Sequence, residues 1–260
     1  MEDIAIIVGS PISDIGKGWI TVCIAKASSD SIVLKIDPAY NVVEFTSTPE
    51  NLELVSSDFK TYSELGLAVS PEQRILLGNT LLDFFQSIKK IDEKTNAGEI
   101  KIYTMSDAST FLANKIDSLL IKNNKQKCVI EIGGNINDPE LACVSQAIHK
   151  LAQKAKLHVF LLTYFDYSED SSHALKKHHV IQGIQKTREI FGSVERVYIR
   201  ARQLPIEITP QMVSKAKREI SERSLISEDK LIFAPNFSSV KDLQIYLLNE
   251  NALALDKGSK

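Results

Sequence analysis

The sequence predicts an α/β fold, with a mostly parallel sheet covered by helices on both faces. Three observations carry that expectation: six short β-rich apolar runs, segments between them with apolar residues at helical spacing, and the alternation of the two. Alternation matters because a strand–helix–strand crossover returns right-handed to the same sheet and lays its helix on one face.

The strand candidates are Ile4–Val8, Ser31–Ile36, Cys128–Ile132, His158–Thr163, Val194–Ile199 and Lys230–Ala234. Each is short and rich in β-branched or aromatic residues. Helical spacing connects Ile75, Leu76 and Leu82 with Phe85, and Phe111, Ile116 and Leu119 with Leu120. It recurs in Leu141, Val144, Ile148 and Leu151, and in Val240, Leu243, Leu247 and Leu248. The stretch Val43–Gly66 is polar and too long for a plain connection, which predicts a functional insertion. No internal repeat, low-complexity tract or Pro/Gly linker divides the chain. A single domain over residues 1–260 is expected, with residues 255–260 as a frayed tail.

Composition bounds the function class. Of 260 residues 43% are apolar and 25% charged, and 31 Lys+Arg against 33 Asp+Glu give a net charge of −2. These values exclude disordered, collagen-like and small disulfide-stapled classes. Near-neutral charge gives no reason to expect nucleic acid or an anionic membrane as partner. No apolar run approaches the roughly 18 residues of a membrane span, and Met1-Glu2-Asp3 lacks the basic region of a secretory signal. Cys23, Cys128 and Cys143 lie among apolar neighbours without Cys-x-x-Cys spacing, which predicts buried thiols in a reducing, cytoplasmic setting.

Ligands of an open α/β sheet collect at the carboxyl ends of its strands, and four polar clusters fall there. The first is Gly9-Ser10-Pro11-Ile12-Ser13-Asp14-Ile15-Gly16-Lys17-Gly18, between the first strand and a helix starting near Trp19. Such a turn aims backbone N–H groups and the positive end of a helix at a phosphate, with a lysine in reach. Its spacing departs from Gly-x4-Gly-Lys-Ser/Thr: the first glycine precedes Gly-Lys by six residues, and Gly18 replaces the hydroxyl. The second cluster, Lys35-Ile36-Asp37-Pro38, reads either as a polar strand end with a turn or as part of a site.

The third cluster is Glu131-Ile132-Gly133-Gly134. Glu131 interrupts an apolar, central strand, where a carboxylate is costly unless it is paired or holds a cation. In P-loop proteins an acid at such a strand end typically holds or orients Mg²⁺. Asp138 and Glu140 follow at a helix start, where they either complement the helix dipole or line a site. The fourth is Lys176-Lys177-His178-His179 with Gln182, either a solvated face or a patch gripping a second phosphorylated molecule.

In this order the motifs resemble the N-terminal amidoligase (synthetase) domain of CTP synthase, over about residues 4 to 248. Glu131-Ile132-Gly133-Gly134 followed by Asp138-x-Glu140 is the most specific piece. The resemblance implies a P-loop, dethiobiotin-synthetase-like fold assembled as a homo-oligomer, a dimer or tetramer. It also implies phosphorylation of UTP, or a related nucleotide, by ATP, followed by amination with ammonia. On that likeness Ser13, Asp14, Ile15, Gly16, Lys17, Gly18 and Trp19 form the ATP loop, and Lys17 and Lys35 are catalytic. Glu131 and Glu64 hold Mg²⁺, and Asp138, Glu140, Lys177, His179 and Gln182 bind the acceptor. Such chemistry needs cations and positioning more than a protein nucleophile.

The chain departs from the family pattern at several points. The family's Gly-Gly-Val-Val is Gly9-Ser10-Pro11-Ile12, and its paired serines are Ser13-Asp14, which brings an extra negative charge towards the phosphates. Its Asp-Leu-Gly is matched, across a gap, by Glu64-Leu65-Gly66. Ala39-Tyr40-Asn41-Val42 replaces motif-rich sequence after Asp37-Pro38, and His179 takes the place of a lysine, an imidazole for a permanent cation. The donor half is thus better kept than the acceptor half. No cysteine has the flanking glycines of a glutaminase elbow, so free or partner-supplied ammonia is expected. The leading expectation is an ATP- and Mg²⁺-dependent amidoligase that activates UTP or a related nucleotide and uses free ammonia or ammonia from a separate glutaminase subunit. Two alternatives stand beside it: a catalytically impaired nucleotide-binding paralogue that regulates or pairs with a full-length CTP synthase, and a P-loop ligase with a non-nucleotide acceptor.

Overall fold

A computed structural model describes residues 1–11, 15–28, 30–37, 57–95, 103–167, 175–201, 208–234, 237, 239–250 and 253 (backbone alone at 57–60, 89–95, 167 and 201). Its strands form one sheet. β1 (Asp3–Gly9), β2 (Ser31–Asp37), β3 (Arg74–Leu76), β4 (Lys127–Ile132), β5 (Lys156–Tyr167), β7 (Arg196–Ala201) and β8 (Leu231–Ala234) pair in the order β3-β2-β4-β1-β5-β7-β8. Every pairing along that path is parallel. The two-residue β6 (Leu175–Lys176) adds antiparallel to the end of β5. The mostly parallel α/β architecture expected from alternation is present.

Period-two patterning explains the two cores. Ile4, Ile6, Val8, Ile32, Leu34, Ile36, Ile130 and Ile132 face one side. There they pack against α3 (Leu77–Thr95), α4 (Met105–Lys122), α5 (Leu141–Ala152), α6 (His178–Phe191) and α7 (Pro210–Ser224). Ala5, Ile7, Val33, Val129, Phe160, Leu162 and Tyr198 face the other side. They meet α1 (Lys17–Ala27), α2 (Ser57–Glu64) and α8 (Val240–Asn249). Burial on both faces is why the strands read as continuous apolar runs, each fully buried Ile or Val contributing about 1.5–3 kcal/mol.

Three sequence expectations are corrected. Ile75 and Leu76 belong to β3, not to the following helix; Ile75 fills the strand-side core, and the helical pattern begins only at Leu77. The fifth expected strand, β7, starts at Arg196, two residues after Val194, and Glu195 just before it donates its backbone N–H to the Val159 carbonyl. The basic run is divided: Lys176 ends β6, Lys177 caps α6 and His178 opens it. The insertion expected over Val43–Gly66 lies mostly outside the described residues, but its end forms α2. The three cysteines are buried thiols as expected, and burial pushes Cys23 up to about 12.

Candidate functional site

The same period of two builds the polar site. In β2, Ile32, Leu34 and Ile36 serve one core and Val33 the other, so Lys35 and Asp37 fall on the α1 side at the strand's carboxyl end. In β4, Val129 and Glu131 share that side, and Lys35 lies directly opposite Glu131 in the parallel register. Arg74 faces Lys35 from β3. Four charged side chains thereby meet beneath the start of α1.

Their partners make one buried network. Lys35 Nζ lies 3.7 Å from Glu131 Oε1 and 3.6 Å from Asp37 Oδ1. Arg74 Nε donates to Asp37 Oδ2 at 2.8 Å. Thr21 of α1 donates its hydroxyl to Glu131 Oε2 at 3.1 Å, and Tyr62 of α2 donates its phenol to the same oxygen. Burial, then the charge of Glu131, hold the Tyr62 phenol well above its ordinary value, so it stays a donor. Lys35, Asp37 and Glu131 are at most 5% exposed, a depth at which charges persist only when paired.

The turn from β1 into α1 adjoins this network. Gly16 holds φ +90°, a left-handed conformation that favours glycine, and the Arg200 guanidinium fills the space a side chain would need. Arg200 Nη1 donates to the Ile15 carbonyl at 3.1 Å, and burial lowers its pKa. Among the described residues no side chain caps α1, and no acid lies in its first turn, whereas Thr209 and Ser239 cap α7 and α8. The N–H groups of that turn lack intrahelical acceptors and carry the positive end of the dipole. Lys17 opens the helix, is 4% exposed, and donates its ammonium to the Gly134 carbonyl at 2.7 Å. Gly134 itself turns with φ +70°. A Cβ at Gly18 would come within 3.4 Å of the Tyr62 ring, so glycine lets α1 lie close over Tyr62 and Glu131. Trp19 packs half-buried against the α1-side core.

Of the expected ATP-loop residues, Ile15, Gly16, Lys17, Gly18 and Trp19 are therefore contiguous at this turn, while Ser13 and Asp14 lie outside the described residues. Glu64 ends α2 and is exposed; the α2 side chain that meets Glu131 is Tyr62, two residues earlier. The donor set does not suit a divalent ion. Mg²⁺ takes oxygen ligands at about 2.0–2.1 Å, yet Glu131 already accepts two hydroxyls and lies beside an ammonium. Among the described residues no group of three or more His, Cys, Asp or Glu side chains is placed to hold a metal.

The expected acceptor residues separate into two kinds. Asp138 orders its own loop, accepting from the Asn135 backbone N–H at 2.8 Å and the Asn135 amide at 2.9 Å. Glu140 is exposed at the N-cap of α5 without a capping bond. His179 and Gln182 line a polar cleft of about 270 Å³ with Ser10, Pro11 and Asn137. Lys186, which also lines it, lies 3.1 Å from Glu189, and His179 lies 2.9 Å from Asp166; Lys177, at the N-cap of α6, pairs with Glu219 at 2.6 Å. Lys177 holds the Glu219 carboxyl below its ordinary value.

Thr21, Tyr62, Arg74 and Arg200 were not marked by the sequence reading. Arg200 is a cation near the end of the apolar strand β7, the same signal that Glu131 gives, and could have been found by it, whereas Arg74 opens a three-residue strand that gives no period. Thr21 and Tyr62 lie on helices, where a hydroxyl or an aromatic ring reads as core.

No family model matches the chain, and no curated protein matches it. Among solved structures it is similar to the signal recognition particle receptor FtsY from Elizabethkingia anophelis in complex with GDP, with a TM-score of 0.43 and 10% identity. The likeness covers 95% of this chain, which spans 63% of that one.

Proposed function

We propose that the chain is a nucleotide-binding domain of the amidoligase type that holds the polyphosphate of ATP at its β1–α1 turn and does not turn it over. The observation that carries the binding half is Lys17: a nearly buried ammonium at the first position of α1, beside a left-handed glycine. A polyphosphate at that turn would meet the backbone N–H groups and the helix dipole, and the Lys17 ammonium once it turned from the Gly134 carbonyl.

The absence of turnover is favoured by what surrounds that volume. Lys35, the cation expected on the moving phosphoryl group, bridges two buried carboxylates. Lys177 and His179, expected on the acceptor, are each paired with an acid. A triphosphate entering the α6 cleft would have to displace those acids. These pairings support the reading of an impaired paralogue that regulates or pairs with a full-length CTP synthase, or assembles with further copies of itself.

The active amidoligase is the second reading, supported by the retained order of Lys17, Lys35, Glu131, Asp138 and Glu140. The two are separated by incubating the chain with ATP, Mg²⁺, UTP and ammonium while measuring CTP and ADP, alongside ATP binding by calorimetry. Binding without either product is the expected result. CTP formation would restore the ligase, and ADP formation without CTP would point to a ligase with a non-nucleotide acceptor in the α6 cleft.

A further inference from the structure

The carboxylate that the resemblance assigns to a metal is filled by donors of this chain. Three separate elements converge on it: Thr21 from α1, Tyr62 from α2 and Lys35 from β2. Glu131 is 2% exposed, so water cannot take the place of a lost donor without entering the core. The neighbouring acid is committed as well, with Asp37 accepting from Arg74 at 2.8 Å and facing Lys35 at 3.6 Å. One buried cation, Lys35, and one partly buried cation, Arg74, thus balance two buried carboxylates. A dication placed on Glu131 would displace hydroxyl donors and sit against the Lys35 ammonium, whose repulsion is strong in a poorly solvated site.

The same contacts give Glu131 a different task. They tie α1, through Thr21, to β4 and to α2, whose Tyr62 ring also lies beside Gly18. This fixes the first turn of α1, and with it the N–H groups and Lys17 that face the turn.

We infer that Glu131 is a structural anchor rather than a metal ligand, and that the chain takes its nucleoside polyphosphate in the metal-free form. The phosphate charge is met by Lys17 and the α1 N-terminus. This inference rests on the nucleotide-binding reading above and deepens it. It changes the ligand chemistry from a metal–nucleotide complex to a bare polyanion.

The test titrates ATP into the full chain by calorimetry, once with excess EDTA and once with excess Mg²⁺. The expected dissociation constants differ by less than about threefold, or favour the EDTA arm. A parallel titration follows the free EPR signal of Mn²⁺, supplied alone, with wild type and Glu131→Gln; the two curves should coincide. ATP binding that appears only with Mg²⁺, or Mn²⁺ uptake that Glu131→Gln removes, would overturn the inference and leave nucleotide binding intact. No ATP binding in either arm would overturn both. The wild-type arms decide the matter even if the variant does not fold.

Discussion

Glu131→Gln separates an anchoring carboxylate from a metal-binding one by the sign of its effect on stability. The substitution keeps the shape but leaves one acceptor oxygen where two oxygens served Thr21, Tyr62 and Lys35. Hydrogen bonds to a charged acceptor contribute about 1.5–3 kcal/mol each. Breaking a buried ion pair by removing one partner costs about 3–5 kcal/mol. Asp37 still lies 3.6 Å from the Lys35 ammonium, which limits the loss. A destabilisation of about 2–4 kcal/mol is expected, or a fall in Tm of about 5–12 °C for a chain of this size. Urea denaturation followed by circular dichroism measures it, with an unchanged m-value showing that the unfolding transition is otherwise the same. A carboxylate held ready for a metal behaves oppositely, because neutralising it relieves desolvation and like-charge strain. A variant as stable as wild type, or more stable, would refute the anchoring role.

Other perturbations test other parts of the account. Lys17→Ala should weaken ATP binding at least about tenfold, near 1.4 kcal/mol, with an unchanged circular dichroism spectrum; wild-type affinity would remove the loop assignment. Gly16→Ala should cost about 1–2 kcal/mol from the left-handed backbone alone and also displace Arg200, lowering both Tm and ATP affinity. Stability should depend on pH through His158, whose ring nitrogens face Glu195 at 3.1 Å and Asp3 at 3.3 Å. The bond to Glu195 raises the imidazole above 6.5, so its contribution is complete below the unfolded value and lost as pH rises through the folded one. The bond to His158 in turn lowers Glu195 below 4.5, and that contribution is lost as pH falls through its folded value. Denaturation midpoints should therefore decline as pH rises through the folded value of the imidazole, and a decline of equal size in His158→Gln would rule out this pair as the cause. Finally, Glu219→Gln together with Asp166→Asn frees Lys177 and His179, and calorimetry should find tighter UTP binding than in wild type; no gain would show that ion pairing does not keep triphosphates from the α6 cleft.

The fold was legible wherever burial is two-sided. The apolar runs of β1, β2, β4 and β5 announce central parallel strands, and each was found within a few residues of its place. β3 was missed because three residues give no period, and Leu77 continues the apolar spacing straight into α3. β6 was missed for the same reason, being two residues paired antiparallel at the edge of β5. In the site, Glu131 stood out as a charge inside an apolar strand and Lys35 only as part of a polar strand end, and strand parity alone places them with Asp37 on one face. What closes the cage was not readable. Tyr62 and Thr21 lie 69 and 110 residues from Glu131, on helices whose packing only the assembled sheet decides. The basic run left two readings open, a solvated face or charge for a ligand, and could not show that Glu219 and Asp166 meet Lys177 and His179 from other elements.

The most direct measurement of the central claim is a crystal structure of the chain with a non-hydrolysable ATP analogue. The account predicts the triphosphate at the first turn of α1, within hydrogen-bond reach of the Gly16–Gly18 backbone, with Lys17 turned from the Gly134 carbonyl onto a phosphate oxygen. A nucleotide bound elsewhere on the sheet, with Lys17 still donating to Gly134, would contradict it.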